Sequence, residues 1–128
     1  MVVNCVSSGG GGVDGYRRSY LEGTASVLAW ARAIGGVDTL VYTGSTSVYA
    51  QGGGGTVDES APTGGAGERA EILLETEALV RASGEAGGAI RRAFVLRLAG
   101  IYGPARHHLL EQVRAGEVAG RGDYHLNL

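Results

Sequence analysis

Three short runs rich in apolar, β-branched and aromatic residues alternate with two stretches of helical periodicity, and that alternation limits what the chain can fold into. The runs are Val-Val-Asn-Cys-Val at 2–6, Asp-Thr-Leu-Val-Tyr at 38–42 and Ala-Phe-Val-Leu-Arg-Leu-Ala-Gly-Ile at 93–101, the last stopped by Tyr102-Gly103-Pro104. Between the first two, Tyr20, Leu21, Thr24, Val27, Leu28, Ala31 and Ile34 form an i, i+3, i+4, i+7 stripe across residues 16–34. Arg17, Arg18, Glu22 and Arg32 lie mostly off the stripe, Trp30 reads as a packing residue, and Gly35-Gly36 closes the helix. Residues 67–83 form a second helix, with Ile72, Leu73, Leu74, Thr76, Leu79 and Val80 on its stripe and Glu68, Arg69, Glu71, Glu75, Glu77 and Arg81 around it. A third, short helix is expected at 107–115.

Strands joined by connections this long run parallel, through right-handed crossovers. The expected class is therefore α/β, with three main parallel strands and crossover helices. Both crossovers step the same way across the sheet, so their helices fall on one face. The strands are apolar enough to require cover on both faces, and only the short helix after Pro104 remains for the second. This predicts a half-domain whose other cover comes from earlier βα units. A chain of 128 residues makes one domain at most, and is short for a complete dinucleotide fold with a substrate region.

The C-terminal end of the middle run collects hydroxyls at Thr43, Ser45, Thr46 and Ser47. In open α/β sheets ligands bind in the crevice outside the carboxyl ends of the strands, so these groups stand where chemistry would occur. The competing reading is that Ser and Thr close strands and open turns by bonding to local backbone. Gly10-x-Gly12-x-x-Gly15 satisfies the dinucleotide fingerprint between a strand and a helix, but four consecutive glycines make a match almost unavoidable. Ser7, Ser8 and Gly9 also separate the strand from the first matching glycine, and Tyr42-Thr43 stands where the ribose-reading acid should end the next strand. The run is read as a flexible crossover loop.

A net charge of -2 with scattered arginines offers no footprint for nucleic acid. No apolar run approaches a membrane span and no basic segment precedes the first apolar residues, so a soluble, cytoplasmic chain is expected. Cys5 is read as a buried, inert thiol of a reducing compartment. His107 and His108 are adjacent and have no spaced ligand partners, so no metal site is expected.

Val41-Tyr42-Thr43-Gly44-Ser45-Thr46-Ser47-Val48-Tyr49 resembles the fifth strand of the extended short-chain dehydrogenases, the NAD-dependent epimerase/dehydratase family, which ends in Ser-Ser-Ser-x-x-Val-Tyr-Gly. Further words agree along nearly the whole chain. Tyr20-Leu21-Glu22-Gly23-Thr24 is similar to the family's Asn-Val-x-Gly-Thr, and Asp58-Glu59-Ser60-Ala61-Pro62 to its Asp-Glu-x-x-Pro loop. Leu96 to Pro104 resembles Leu-Arg-x-x-x-Val-Tyr-Gly-Pro, and residues 120–128 the passage into the family's substrate region. The resemblance implies the later βαβαβ half of a Rossmann-like, doubly wound NAD(P)-binding domain over residues 1–128, lacking the glycine-fingerprint unit.

By the same resemblance Ser45 is the catalytic serine, with Arg69 as a second, weaker candidate for an anionic group. Val6, Ser7, Tyr20 and Thr43 would line the cofactor cleft, and Thr46, Tyr102 and Arg106 the substrate side. The family works through a tyrosine whose pKa is lowered by a lysine four residues on, with a nicotinamide passing hydride. This chain has no lysine, and no tyrosine between Tyr49 and Tyr102. Tyr20, Ala99 and Gly100 also replace the family's cofactor-touching asparagine, its cofactor-facing aromatic and its substrate-binding asparagine. Two outcomes follow: an NAD- or NADP-dependent epimerase, dehydratase or oxidoreductase acting on a small or nucleotide-sugar-like substrate with unusual catalytic groups, or a non-catalytic NAD(P)-binding or regulatory relative. The chain alone is not expected to bind NAD or NADP tightly, and self-association through an exposed sheet edge is expected.

Overall fold

The computed structural model describes residues 1–52, 54–104 and 108–117. Strands β1 (Val2–Asn4), β2 (Val37–Ser45) and β3 (Ile90–Leu98) form one parallel sheet in the order β1-β2-β3. Helices α1 (Gly12–Tyr16) and α2 (Gly23–Ala33) lead from β1 to β2, α3 (Glu68–Ser83) joins β2 to β3, and α4 (His108–Ala115) follows. The α/β half-domain with three parallel strands and crossover helices is therefore present as read.

The register sets the two faces. Val2, Leu40 and Ala93 are partners across the sheet, as are Asn4, Tyr42 and Val95, and these rows face the helices. Leu40 and Tyr42 are buried with Leu28 and Ala31 of α2, Val80 of α3 and Ile90. Because side chains alternate along a strand, the intervening row of Val3, Val41 and Phe94 points to the other face. There Val3 is 51% exposed, Phe94 49% and Leu96 47%. Among the described residues this second face carries no covering layer of helices.

Boundaries depart from the sequence reading for local reasons. The first strand ends at Asn4, whose buried amide Nδ2 donates to Thr24 Oγ1 of α2 at 3.0 Å while its Oδ1 accepts from the Val6 N–H. That asparagine bonds the strand to the helix layer and turns the chain out of the sheet. Cys5 consequently lies outside the strand and is exposed, which corrects the expectation of a buried thiol. The middle strand runs three residues further than read and includes Thr43, Gly44 and Ser45. The last begins at Ile90, where Arg91 and Arg92 both pair with Asp38 of β2 and draw its pKa down, Arg92 most strongly, then Thr39, then Arg91.

The first helical stretch starts at Gly12 and carries a π-helical turn at Arg17–Glu22 between α1 and α2. The glycine run before it is needed: Gly9, Gly10, Gly11 and Gly12 all take positive φ, a region that side chains rarely adopt. No described helix is long and apolar enough to cross a membrane.

Candidate functional site

The site is built on the C-terminal end of β2. Ser45 closes the strand in an extended conformation, and its Oγ accepts a hydrogen bond from the Ser47 N–H at 3.1 Å, capping the 3₁₀ turn Thr46–Val48. The Tyr49 N–H donates to the Thr46 carbonyl at 3.1 Å and closes that turn. Ser45 thus does what the local-backbone reading required, and it does so at the strand end where ligands bind. Its oxygen accepts from Ser47, and among the described residues no hydrogen bond takes up the hydroxyl proton.

Under the strand end lies a buried ionic network. Glu77 of α3 is 0% exposed, and both its oxygens meet Arg97 of β3: Nε donates to Oε1 at 2.9 Å and Nη2 to Oε2 at 2.7 Å. Arg81, one turn on in α3, donates to Oε2 at 2.8 Å. Arg97 is raised in pKa chiefly by that carboxylate, against its own desolvation, with Tyr49 adding to the rise. Its Nη1 donates to the Tyr49 hydroxyl at 2.7 Å, and that hydroxyl donates to the Asp58 carbonyl at 2.8 Å. Gly44 packs closely here: a Cβ there would crowd the Tyr42 ring at 3.3 Å and stand in ordinary contact with Glu77 Oε1 at 3.5 Å.

A cavity of about 480 Å³ opens beside this network, lined by Thr46, Tyr49, Val57, Asp58, Leu96 and Arg97 among others. A larger one, about 850 Å³, lies at the opposite end of the strands between Gly35-Gly36 and residues 84–91. The smaller lies at the carboxyl ends, where this architecture binds ligands; Thr46 lines it and Ser45, one residue earlier, does not.

The other sequence candidates fall in different places. Thr46 donates to the Leu98 carbonyl at 3.4 Å, linking the Ser45 turn to the end of β3. Thr43 donates to the Asn4 carbonyl at 3.4 Å, bridging β2 to β1. Val6 and Ser7 are exposed just beyond β1. Tyr20 sits in the π-helical turn, half-buried, its ring centroid 5.0 Å from that of Tyr16; burial raises its pKa, Tyr16 adds to the rise, and the Ser8 backbone opposes it. Arg69 lies with its guanidinium carbon 5.1 Å from the centroid of the Tyr16 ring, in the seam between the first helical stretch and α3, near the Arg17–Glu75 ion pair. Tyr102 is exposed. Arg106, His107 and residues 120–128 lie outside the described residues.

The family model for the NAD dependent epimerase/dehydratase family matches residues 1–119. The chain belongs to that family. A solved structure from Methylobacillus flagellatus, described as an NAD-dependent epimerase/dehydratase, is 28% identical with a TM-score of 0.65. The match covers 84% of this chain and 36% of that one, so the chain spans about a third of that relative's length. A search of curated proteins finds no match.

The family's dinucleotide requires a pyrophosphate cradle and a ribose-reading acid. The glycine run does not fit the cradle: a Cβ on Gly15 would stand 2.1 Å from the Gly10 carbonyl oxygen, and the Gly15 N–H bonds to the Gly11 carbonyl at 3.0 Å. The close approach that Gly15 permits is to its own loop. No acid ends β2, where Thr43, Gly44 and Ser45 stand. The described residues therefore do not make a whole dinucleotide site.

Sequence reasoning missed Glu77, which it placed among the surrounding charges. Its spacing carried the signal, since Leu73, Glu77 and Val80 follow one another at four and three residues along the apolar stripe. The complementary sign was Arg97, the cation within the apolar run 93–101.

Proposed function

We propose that this chain is the later part of an NAD(P)-dependent enzyme of epimerase/dehydratase type, an oxidoreductase or epimerase in which Ser45 donates a hydrogen bond to an oxygen of a small or nucleotide-sugar-like substrate. The observation that carries this is the Ser45 hydroxyl, oriented by the Ser47 N–H at the carboxyl end of the central strand with its proton left to give. A donor fixed in that way stabilises negative charge developing on a substrate oxygen without reorganising first. Thr46, Tyr102 and Arg106 belong to the substrate side of this reading, and Val6, Ser7, Tyr20 and Thr43 to the nicotinamide side. NAD or NADP is bound by the larger domain, in the cytoplasm, and not tightly by these 128 residues.

A second reading, a non-catalytic NAD(P)-binding relative, is favoured by one specific observation. The sequence has no lysine to lower a tyrosine's pKa, and the Tyr49 hydroxyl already accepts from Arg97 and donates to the Asp58 carbonyl.

The test is Ser45→Ala in a protein carrying the whole domain, with nicotinamide absorbance followed across nucleotide-sugar and small hydroxy-carbonyl substrates. Turnover should fall about 10²-fold or more with little change in melting temperature. Unchanged turnover with a lower melting temperature makes Ser45 a cap only. Cofactor binding without turnover of any substrate establishes the second reading.

A further inference from the structure

We propose that Glu77 is a positioning residue for Ser45, acting through Arg97 and Tyr49; this rests on the reading of Ser45 given above. The two ends of the relay differ in kind. At one end Glu77 is wholly buried and fixed, held by two bonds from Arg97 and one from Arg81. At the other is the short turn Thr46–Val48, anchored by the buried Val48 and joined to its surroundings by single bonds: a 3.1 Å backbone bond from Tyr49 to Thr46, the 3.1 Å bond from the Ser47 N–H to Ser45 Oγ, one from Thr46 Oγ1 to the Leu98 carbonyl at 3.4 Å, and one from the Gly64 N–H to the Val48 carbonyl at 3.2 Å.

Arg97 joins the two. Its side chain is only 14% exposed, and with its Nε and Nη2 given to Glu77, its Nη1 reaches the Tyr49 hydroxyl at 2.7 Å while the guanidinium carbon stands 4.9 Å from the ring centroid. A planar guanidinium fixed at two points by a carboxylate has no freedom left to rotate, so the tyrosine is held in one place by both its ring and its oxygen. Tyr49 then passes the constraint on in two directions, through its hydroxyl to the Asp58 carbonyl and through its backbone N–H to the turn that Ser45 caps. Gly44, the residue immediately before Ser45, is the cross-strand partner of Arg97, so the buried anchor meets β2 one residue from the serine.

Hydrogen exchange read by mass spectrometry tests this, because it resolves segments whatever the association state of the protein. In Tyr49→Phe and in Glu77→Gln, amides in residues 46–50 should exchange about tenfold faster, the ratio that one ordinary hydrogen bond gives, while those in residues 38–42 keep their rate. Arg81→Gln, which removes the solvent-facing partner of the same carboxylate, should change neither segment. Tyr49→Phe deletes one oxygen from a half-buried side chain, so it keeps the test open if Glu77→Gln fails to fold. An unchanged rate at 46–50 in Tyr49→Phe, or an equal rise at 38–42, overturns the relay. Lost turnover in Ser45→Ala beside an unchanged Tyr49→Phe rate would leave the role of Ser45 standing and sink the relay alone. Fast exchange in Tyr49→Phe with full turnover in Ser45→Ala would do the reverse.

Discussion

The two faces of the sheet are made from the same strands and live under different rules. On the helix side, Leu40 and Tyr42 are each 1% exposed, packed by Leu28 and Val80, and the buried carboxylate of Glu77 is paired at both oxygens by Arg97. On the other side Val3, Phe94, Leu96 and Leu98 present large apolar side chains without a described layer over them. Alternation along a strand buries one set only when a second element arrives, and among the described residues that element is present on the helix side alone. An apolar surface of that kind is a docking or aggregation surface.

The comparison is broken most directly by truncating one leucine on each face. Leu40→Ala should cost about 2–5 kcal/mol, since it removes buried methyls and leaves a cavity among packed neighbours, whereas Leu96→Ala should cost less than about 1 kcal/mol. Denaturant unfolding of the two variants under the same conditions measures both. If Leu96→Ala costs as much as Leu40→Ala, the open face is covered in the protein as it exists in solution, and the two faces are equivalent after all.

A smaller effect is expected in mass. Phe94→Lys combined with Leu96→Glu places opposite charges on the open face and leaves the helix-side core untouched, so light scattering should show the variant shifted toward monomer relative to the parent chain. The parent chain remaining a monodisperse monomer with slowly exchanging amides in all three strands would defeat the half-domain reading. The free edges of β1 and β3 add to the tendency, because each leaves a row of backbone donors and acceptors without a strand partner among the described residues.

The sequence made the fold class legible because helical and strand periods are strong signals and long crossovers leave few topologies. The hydroxyl cluster after the apolar run could be placed at the carboxyl end of the sheet, whereas Ser45 was singled out within it only by the resemblance to the family's strand. What it concealed was local. The early end of β1 depends on Asn4 finding Thr24, twenty residues away, and the π-helical turn depends on how Tyr16 and Tyr20 pack, neither of which is a periodic signal. The buried ion pair was hidden because glutamate on a helix reads as solvated until a cation appears on the strand it faces.

The smallest expected effect sharpens the account of the covered face. Tyr42 is buried, yet its hydroxyl is without a hydrogen-bond partner among the described residues, while neighbouring Thr76 gives its own proton to the Ile72 carbonyl at 2.8 Å. Burial raises the Tyr42 pKa above its ordinary value near 10, the nearby Tyr20 and Glu77 add to the rise, and the Thr76 side chain beside the hydroxyl opposes it. A phenol that binds its proton more tightly when folded contributes stability that is fully present below about pH 10 and is lost as pH rises toward the elevated folded value. Tyr42→Phe should therefore be neutral or stabilising by about 1 kcal/mol at pH 7, because it removes an unsatisfied buried polar atom and keeps the ring. It should also flatten the alkaline loss of stability above about pH 10. Melting temperatures of parent and variant between pH 7 and 11 read both effects. A clear destabilisation at pH 7 would mean that the hydroxyl has a partner, and the helix-side layer would then hold a second polar network beside that of Glu77.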